Sequence, residues 1–381
     1  MSTFKENGPA FGNLLLKSLH QIALDRNHTI ASVRQNIAEA IFCNASAIEF
    51  WCKGHVPQDK SIVTALANEI KKSNGFRLDS EYNRFLNNGG IEASELHAIE
   101  CDQISPFIVG NPIQYPCRFY GRERELSRIF GLWKKMPLQN VAILGPKRSG
   151  KTSLLSYLSS ITTAPSSLIR KGQRQDWLSN PERYCWIYVD FMIVPTPSSF
   201  YNHVLKNLQI PYPEADICSG SIFIELLESR IQSPTLILLD ELALAVNSPE
   251  FDQSFWNGLR NLACVATQQK LAFAVSAEQY PAQIASEKNI SSPFFNIFQT
   301  IFLGPMEISE AYDLIKSSPI GFNSTDSEWI LEHSKCWPAL LQIACQNRFY
   351  SLENKETDNR WQEETLREFA RYSYLFNWEA H

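Results

Sequence analysis

Three features that mark membrane, secreted or zinc-binding proteins are missing from these 381 residues. No apolar run approaches the roughly 18 residues that a membrane-spanning helix needs. The first twelve residues, MSTFKENGPAFG, contain no apolar core of the kind found in secretory signals. The nine cysteines are odd in number and include no C-x-x-C pair. We therefore expect a cytoplasmic protein with free thiols and no membrane segment, rather than a disulfide framework or a zinc site.

An excess of basic residues is missing as well. Lys and Arg number 35 against 40 Asp and Glu, so the formal net charge is −5. Such a balance gives no global attraction to nucleic acid or to an anionic membrane. Hydrophobic residues make up 44% of the chain, which is enough for well-formed cores. The length predicts two or three domains.

The stretch VAILGPKRSGKTSLLSYL, residues 141–158, reads as a buried strand, a glycine-rich loop and the start of a helix. Its glycines permit a loop to wrap a phosphate chain in backbone N–H groups, and the helix N-terminus adds a positive dipole end. In this spacing Lys151 would reach the β- and γ-phosphates, and the Thr152 hydroxyl would ligate Mg²⁺. We predict that a nucleoside triphosphate is bound by Gly145, Pro146, Lys147, Arg148, Ser149, Gly150, Lys151, Thr152 and Ser153.

A second motif, TLILLDE at residues 235–241, is an apolar run that ends in two carboxylates. Asp240 would hold the water shell of Mg²⁺, and Glu241 would polarise the attacking water as a general base. Alone, this pattern is more typical of a buried strand with a solvated acidic turn. It follows Lys151 by about 90 residues, which suits two βα units. The two motifs together therefore predict a catalytic pair of Lys151 and Glu241.

The remaining patterns predict an α/β P-loop NTPase core with a five-stranded parallel sheet, flanked by helical parts. The domains expected are a helical domain at 1–90, a proline-rich linker at 91–118, the core at 119–306 and a helical lid at 307–381. Strands are predicted at 141–144, 186–190, 236–240, 271–276 and 300–303. Core helices are predicted at 151–160, 198–208, 221–231 and 252–265, and lid helices at 308–317, 326–334, 338–349 and 361–374.

Local matches make this core resemble an AAA+ ATPase of the STAND type, the branch that includes bacterial relatives of NB-ARC and NACHT proteins. FYGRERELSRI, residues 119–129, matches the hhGRE box of that branch, and GPKRSGKTS and LILLDE match its Walker A and Walker B segments. IFLGPMEISEAYDLI, residues 301–315, resembles its last core strand and first lid helix. CWPALLQIACQ, residues 336–346, resembles a lid helix that begins with G-x-P, with Cys336 in place of the usual glycine.

The resemblance implies that the chain binds ATP and Mg²⁺ and acts as a molecular switch, as in bacterial defence or signalling. Its partners would be further copies of itself in a homo-oligomer and an effector or sensor protein. The resemblance also places Tyr120, Gly121 and Arg122 against the adenine and ribose, Pro338 over the nucleotide and Ser276 as a catalytic sensor of the γ-phosphate. Plainer readings stay open, since such residues also occur at ordinary helix starts and strand ends.

Two departures from the family bear on activity. The stretch YPAQIASEKNISSPFFNIF before the last strand contains no arginine, and Arg260 is the nearest candidate for an arginine that acts on a neighbouring subunit. Because such an arginine accelerates hydrolysis about 10³–10⁵-fold, we expect slow turnover. The sequence ends at His381 without the winged helix usual in the family. We expect a minimal ATPase, a piece of a longer protein, or a chain that relies on a partner for sensing.

The N-terminal segment VRQNIAEAIFCNASAIEFWCKGHVP, residues 33–57, resembles the helix-turn-helix of repressor-like proteins. The predicted helices are 35–41, 45–53 and 59–72, and the second would present Asn44, Ser46, Glu49 and Lys53. Phosphates would repel Glu49, and up to residue 75 eight basic residues against six acidic ones make a weak footprint for DNA.

Several functions therefore stay open beside the switch. The N-terminal helices suit either a structural or protein-interaction domain or a DNA-binding ATPase regulator of the transcription or transposition type. A nucleotide-binding scaffold without hydrolysis is a further alternative. The basic cluster RKGQRQ, residues 170–175, is predicted to be a solvated loop or a contact for nucleic acid or a neighbouring subunit.

Overall fold

The computed structural model describes residues 8–26, 28–41, 43–73, 75–76, 79–91, 106–165, 168–211 and 219–378. Contacts between Cα atoms divide the chain into two compact units, one of residues 1–104 with 165–168 and the other of residues 105–164 with 169–381. In the described part of the chain, no helix has both the length and the apolar character needed to cross a membrane. The cysteines described there are free thiols.

The first unit is a bundle of helices around a core of fully buried side chains that includes Leu15, Leu66 and Phe85. Its described helices are α1 (Gly8–Arg26), α2 (Ile30–Ala40), α3 (Ala45–Cys52), α4 (Lys60–Lys72) and α5 (Asp79–Asn88). The backbones of α1 and α3 come close at Gly12, where an added Cβ would lie 2.7 Å from the carbonyl oxygen of Cys52. Helix α2 begins five residues before the predicted start, because the Thr29 hydroxyl caps it.

The second unit contains a five-stranded, all-parallel sheet, which confirms the predicted fold class. The strands are β1 (Asn140–Leu144), β2 (Cys185–Asp190), β3 (Thr235–Asp240), β4 (Leu271–Ala277) and β5 (Phe298–Phe302), in the order β2-β3-β4-β1-β5. Each predicted strand is found within two residues of its expected start. Strands β1, β3 and β4 are buried along their whole length.

Helices cover both faces of this sheet, as an all-parallel sheet requires. Along β1, Ala142 and Leu144 join one apolar cluster, and Val141 and Ile143 join the other. The helices around the sheet are α6 (Glu123–Trp133), α7 (Lys151–Ser160), α8 (Pro197–Asn207), α9 (Gly220–Arg230), α10 (Leu242–Asn247), α11 (Gln253–Asn261) and α12 (Pro281–Glu287). The sequence predicted a helix over 252–265; its last part continues α11 as a π-helical turn at Leu262–Ala266.

A group of helices follows β5 and packs around Trp337, Leu340 and Trp361. These are α13 (Ile308–Ile315), α14 (Ser324–Ser334), α15 (Pro338–Glu353) and α16 (Arg360–Phe369), and a 3₁₀ segment, Ala370–Leu375, comes after them. Phe107 is buried in the same cluster. Residues 106–118, which were predicted as linker, are therefore packed within this unit, while 92–105 lie outside the described residues. The exact domain boundaries stay a prediction.

Candidate functional site

The loop between β1 and α7 has the geometry that its glycines predict. A Cβ on Gly145 would lie 2.7 Å from both the carbonyl oxygen of Leu303 and the Ser149 hydroxyl, so a larger residue does not fit there. Gly150 adopts a φ of +97°, in the left-handed region that favours glycine. Helix α7 begins at the next residue, Lys151, so its N-terminus faces the loop. This is a ready anion site.

Lys151 is folded back onto the loop. Its Nζ atom donates to the carbonyl oxygens of Gly145 at 2.8 Å and Pro146 at 2.9 Å. Burial lowers the pKa of Lys151, while the nearby carboxylates of Glu278 and Glu241 act in the opposite direction. A half-buried ammonium group that donates to loop carbonyls is in place to exchange those carbonyls for phosphate oxygens.

Asp240 stands at the tip of β3 and is held by three donors. Its Oδ2 accepts from the Tyr188 hydroxyl at 2.6 Å, and its Oδ1 accepts from the Ser276 hydroxyl and from the backbone N–H of Glu241 at 3.1 Å. Tyr188 comes from β2 and Ser276 from β4, the strands on either side. The carboxylate is only 2% exposed, so its orientation is fixed by neighbours on three strands or strand ends.

Glu241 follows in a left-handed conformation with a φ of 56°. This backbone angle is uncommon for residues other than glycine. Burial raises the pKa of Glu241, and the carboxylates of Asp240, Glu278 and Asp190 raise it further, while Lys151 lowers it. A carboxyl group whose pKa is raised by burial and neighbouring carboxylates is typical of a general base.

The same crowding provides a test of whether Mg²⁺ fits. The carboxylates of Asp240, Glu278 and Asp190 raise the pKa of Glu241, and a divalent cation would relieve this repulsion. In the described part of the chain, however, no group of three or more acidic, histidine or cysteine side chains forms a metal site on its own. Oxygen donors are the ligands that Mg²⁺ prefers, and it usually keeps several of its waters. Thr152 and Asp240 therefore stay the predicted holders of Mg²⁺. Thr152 lines the cavity, whereas both oxygens of Asp240 already accept hydrogen bonds from Tyr188, Ser276 and the Glu241 backbone.

Arg122 of the GRE box is buried to 4% exposure and has an unexpected set of partners. Its guanidinium donates to the carbonyl oxygens of Gly304 at 2.6 Å, Ser149 at 3.2 Å and Pro305 at 3.4 Å, and it pairs with Glu125 at 3.3 Å. The side chain thus ties the phosphate loop to the segment after β5. The contact of Arg122 with adenine or ribose stays a prediction, because three of the four hydrogen bonds of its guanidinium go to backbone carbonyls.

A cavity of about 480 Å³ opens in front of the phosphate loop. Ligand pockets commonly have volumes of 300–1,000 Å³. It is lined by Ile108, Val109, Gly110, Asn111, Pro112, Ile113, Arg118, Phe119, Tyr120, Arg122, Lys147, Arg148, Ser149, Gly150, Lys151, Thr152, Ser153, Met192, Glu241, Leu244, Glu278, Met306, Leu314, Pro338, Ala339, Gln342, Ile343 and Tyr372. One part of this lining is basic and polar, and another is apolar, which suits a nucleotide.

The cavity brings together eleven of the predicted site residues. These are Tyr120, Arg122, Lys147, Arg148, Ser149, Gly150, Lys151, Thr152, Ser153, Glu241 and Pro338. Gly121, Gly145, Pro146, Asp240 and Ser276 lie outside the lining. The Ser276 hydroxyl donates to Asp240 and accepts from the backbone of Glu241, so it is engaged with the acidic pair. Its predicted role at the γ-phosphate stays a prediction.

Sequence reasoning missed residues 108–113 and Tyr372 as lining. Arg148 donates to the carbonyl oxygen of Gly110 at 2.7 Å, and the N–H of Ile113 donates to the Ser153 hydroxyl at 3.0 Å. These bonds hold an irregular segment against the phosphate loop. Its proline and glycine content resembles that of a linker, and only its apolar Ile-Val pair, residues 108–109, could have indicated a binding wall.

The fold is similar to that of several solved structures, at low sequence identity. A Walker-type ATPase of Pyrococcus abyssi is 14% identical with a TM-score of 0.49, covering 70% of this chain and 77% of that one. The Aeropyrum pernix ORC2 protein, solved as ADPNP–ADP complexes, is 14% identical with a TM-score of 0.45 over 66% and 70% of the two chains. Domain III of the Thermotoga maritima replication initiation protein DnaA is 13% identical with a TM-score of 0.43 over 70% and 99%.

No protein-family model and no curated protein matches the sequence. Because the TM-scores of these three structures are below 0.5, the residues of the chain itself have to carry any functional conclusion.

Proposed function

We propose that this chain is a Mg²⁺-dependent ATP-binding switch of the AAA+/STAND type, which hydrolyses ATP slowly and changes its assembly or its contact with a partner protein. The observation that carries the proposal is the meeting of two motifs at one edge of the sheet. Lys151 and Thr152 at the start of α7 face Glu241, and all three line one cavity. The charges of Glu241 and Lys151 are close enough to shift each other's pKa.

In the proposed reaction, the phosphate loop and Lys151 bind the triphosphate, and Glu241 accepts the proton of the attacking water. The water oxygen forms a bond to the γ-phosphorus while the bond to the β–γ bridging oxygen breaks, which yields ADP and inorganic phosphate. Mg²⁺, when bound, neutralises charge on the phosphates. Asp240 keeps its orientation through Tyr188 and Ser276, so the acidic pair is arranged before any ligand arrives.

The slow rate that we propose is supported by two of the arginines that line the cavity, Arg122 and Arg148. Arg122 donates to three backbone carbonyls, and Arg148 donates to the carbonyl of Gly110. Both guanidinium groups are therefore engaged with backbone carbonyls. An arginine acting from a neighbouring copy, for which Arg260 is the candidate, would then be required for fast turnover.

Two substitutions test the proposal. Lys151→Ala should abolish binding of ATP in calorimetry, because the phosphates lose their main side-chain partner. Glu241→Gln should bind ATP with unchanged affinity and release phosphate at least tenfold more slowly, because it keeps shape and removes the base. Lys206→Ala, an exposed lysine on α8 outside the cavity lining, is the matched control. Wild-type affinity in Lys151→Ala would contradict the site.

DNA-dependent regulation is a second candidate, favoured by one feature of the N-terminal unit. Asn44, Ser46, Glu49 and Lys53 are all exposed around α3, as a DNA-reading helix would require. Glu49 forms ion pairs with Arg34 at 3.2 Å and with Lys53 at 3.3 Å. These two cations are therefore already paired within the protein, which weakens the attraction of α3 for DNA phosphates. Retention of the chain on DNA in the presence of ATP, measured at two salt concentrations, would separate this candidate from the switch.

A further inference from the structure

The basic cluster at residues 170–175 is folded against the cavity wall. A tight turn at 170–173 is closed by two bonds: the N–H of Gln173 donates to the carbonyl of Arg170 at 2.9 Å, and the N–H of Arg170 donates to Oε1 of Gln173 at 3.0 Å. Gly172 within it has a φ of +81°. The turn therefore holds the side chains of Arg170 and Gln173 next to each other.

Both side chains donate hydrogen bonds to one short segment, residues 116–120, which we term the strap. The Nη1 atom of Arg170 donates to the carbonyl oxygens of Cys117 at 3.1 Å and Phe119 at 2.9 Å. Its guanidinium carbon lies 3.9 Å from the centre of the Tyr120 ring, a cation–π contact. Gln173 donates to the carbonyl of Pro116 at 2.8 Å. One turn thus fixes the backbone and an aromatic ring of the strap.

The strap in turn forms part of the cavity wall through Arg118, Phe119 and Tyr120. The ring of Phe119 also stacks on Tyr157 of α7, with ring centres 4.1 Å apart. The strap presents aromatic surface, whereas the phosphate loop presents N–H groups and Lys151. These two walls suit different parts of a nucleotide, the strap the nucleoside and the loop the phosphates.

We propose that Arg170 is a positioning residue for the nucleoside part of the bound nucleotide, acting through the strap. This inference rests on the proposed ATP-binding function. Without Arg170 the strap loses two hydrogen bonds to its backbone and the cation on Tyr120, so its wall of the cavity becomes mobile. The phosphate loop, which Arg170 does not touch, keeps its geometry.

Two probes separate these effects: a non-hydrolysable ATP analogue, which contacts both walls, and inorganic tripolyphosphate, which contacts only the loop. Both are titrated with Mg²⁺ into the full chain. Arg170→Ala should raise the Kd of the ATP analogue about tenfold, as expected when the cavity wall loses the charged hydrogen bonds that hold the strap. The Kd of tripolyphosphate should stay within about twofold. Lys171→Ala, an exposed basic residue in the same turn, should change neither.

Arg170→Lys provides a second variant that keeps the cation near Tyr120 and loses the planar fork, so we expect an intermediate loss for the analogue. It decides the question if Arg170→Ala does not fold. An unchanged Kd for the analogue, or an equal loss of affinity for both probes, would overturn the inference about Arg170 and leave the proposed ATP-binding function standing. If the wild type binds neither probe, the proposed function fails and the inference falls with it.

Discussion

Replacing Arg122 with alanine tests how the phosphate loop is held. The guanidinium is buried and reaches Gly304, Ser149 and Glu125 at 2.6, 3.2 and 3.3 Å. Its removal leaves buried carbonyl oxygens and a carboxylate without their donor. Charged hydrogen bonds contribute about 1.5–3 kcal/mol each, and breaking one partner out of a buried pair costs about 3–5 kcal/mol. We therefore expect Arg122→Ala to lower the free energy of unfolding by about 3–4 kcal/mol.

The backbone conformation at residue 122 does not contribute to this difference in the free energy of unfolding. Arg122 has a φ of 67°, and alanine is strained there about as much as arginine is. Arg124→Ala is a matched control, because that arginine is exposed in the first turn of α6, the helix that Arg122 precedes. Exposed substitutions usually stay within about 0.5 kcal/mol.

Urea unfolding followed by tryptophan fluorescence gives the measurement. All of the nine tryptophans except Trp51 lie in the unit that holds the phosphate loop, so the signal reports on that unit. With an m-value of about 3 kcal/mol per molar, the midpoint should fall by about 1 M. A shift no larger than that of Arg124→Ala would refute the reasoning and would mean that the desolvation of Arg122 cancels its bonds.

The same variant separates two roles of Arg122 in binding. If Arg122 acts by fixing the carbonyl of Ser149, Arg122→Ala should lower the affinity for the ATP analogue and for tripolyphosphate alike, because the phosphate loop itself is then held less firmly. If it contacts adenine or ribose, as the family resemblance implies, only the analogue should lose affinity. The structure favours the first outcome, since the nitrogens of its guanidinium fork donate to backbone carbonyls and to Glu125.

Two further predictions concern stability and assembly. Because burial and Asp240 raise the pKa of Glu241, its ionised form destabilises the folded state once the pH is above the ordinary glutamate value of about 4.3. Glu241→Gln should therefore raise the urea midpoint at pH 7 and lose that gain near pH 4; a gain that is independent of pH would contradict the assigned charge state. Mg²⁺ with ATP should convert monomers or dimers into a larger ring or filament in sedimentation at several protein concentrations, because a ligand favours the form that binds it better. Arg260→Ala should reduce this conversion if Arg260 crosses to a neighbour, and an unchanged mass with and without DNA would favour the scaffold alternative.

The sheet and the two motifs were predictable because their signals are local. A buried apolar run followed by G-x-x-x-x-G-K-T specifies strand, loop and helix within about 20 residues. Burial of β3 along its whole length likewise follows from its apolar run. The short helices α10 and α12 were not predicted, since six or seven residues carry too little periodicity to distinguish a helix from a turn.

The walls of the cavity were not predictable, because they depend on bonds between distant residues. Residues 106–118 contain the prolines and the glycine that are typical of a linker, yet the N–H of Ile108 donates to the Gln342 side chain, 234 positions away, at 2.9 Å. Arg170 reaches Phe119 across 51 positions. Irregular backbone can be packed when side chains satisfy its polar groups, and local composition does not show which side chains these are.

Adjacent residues of the phosphate loop link it to three separate segments, and this arrangement supports the proposed switch. The carbonyl of Ser149 accepts from Arg122, Arg148 donates to Gly110, and the carbonyl of Lys147 accepts from Tyr374 at 3.4 Å. A nucleotide that moves the loop changes all three contacts at once. A ligand shifts a conformational equilibrium only through contacts that differ between the two states. The ends of this unit, near residues 110 and 374, are therefore where nucleotide-dependent changes in exposure should appear first.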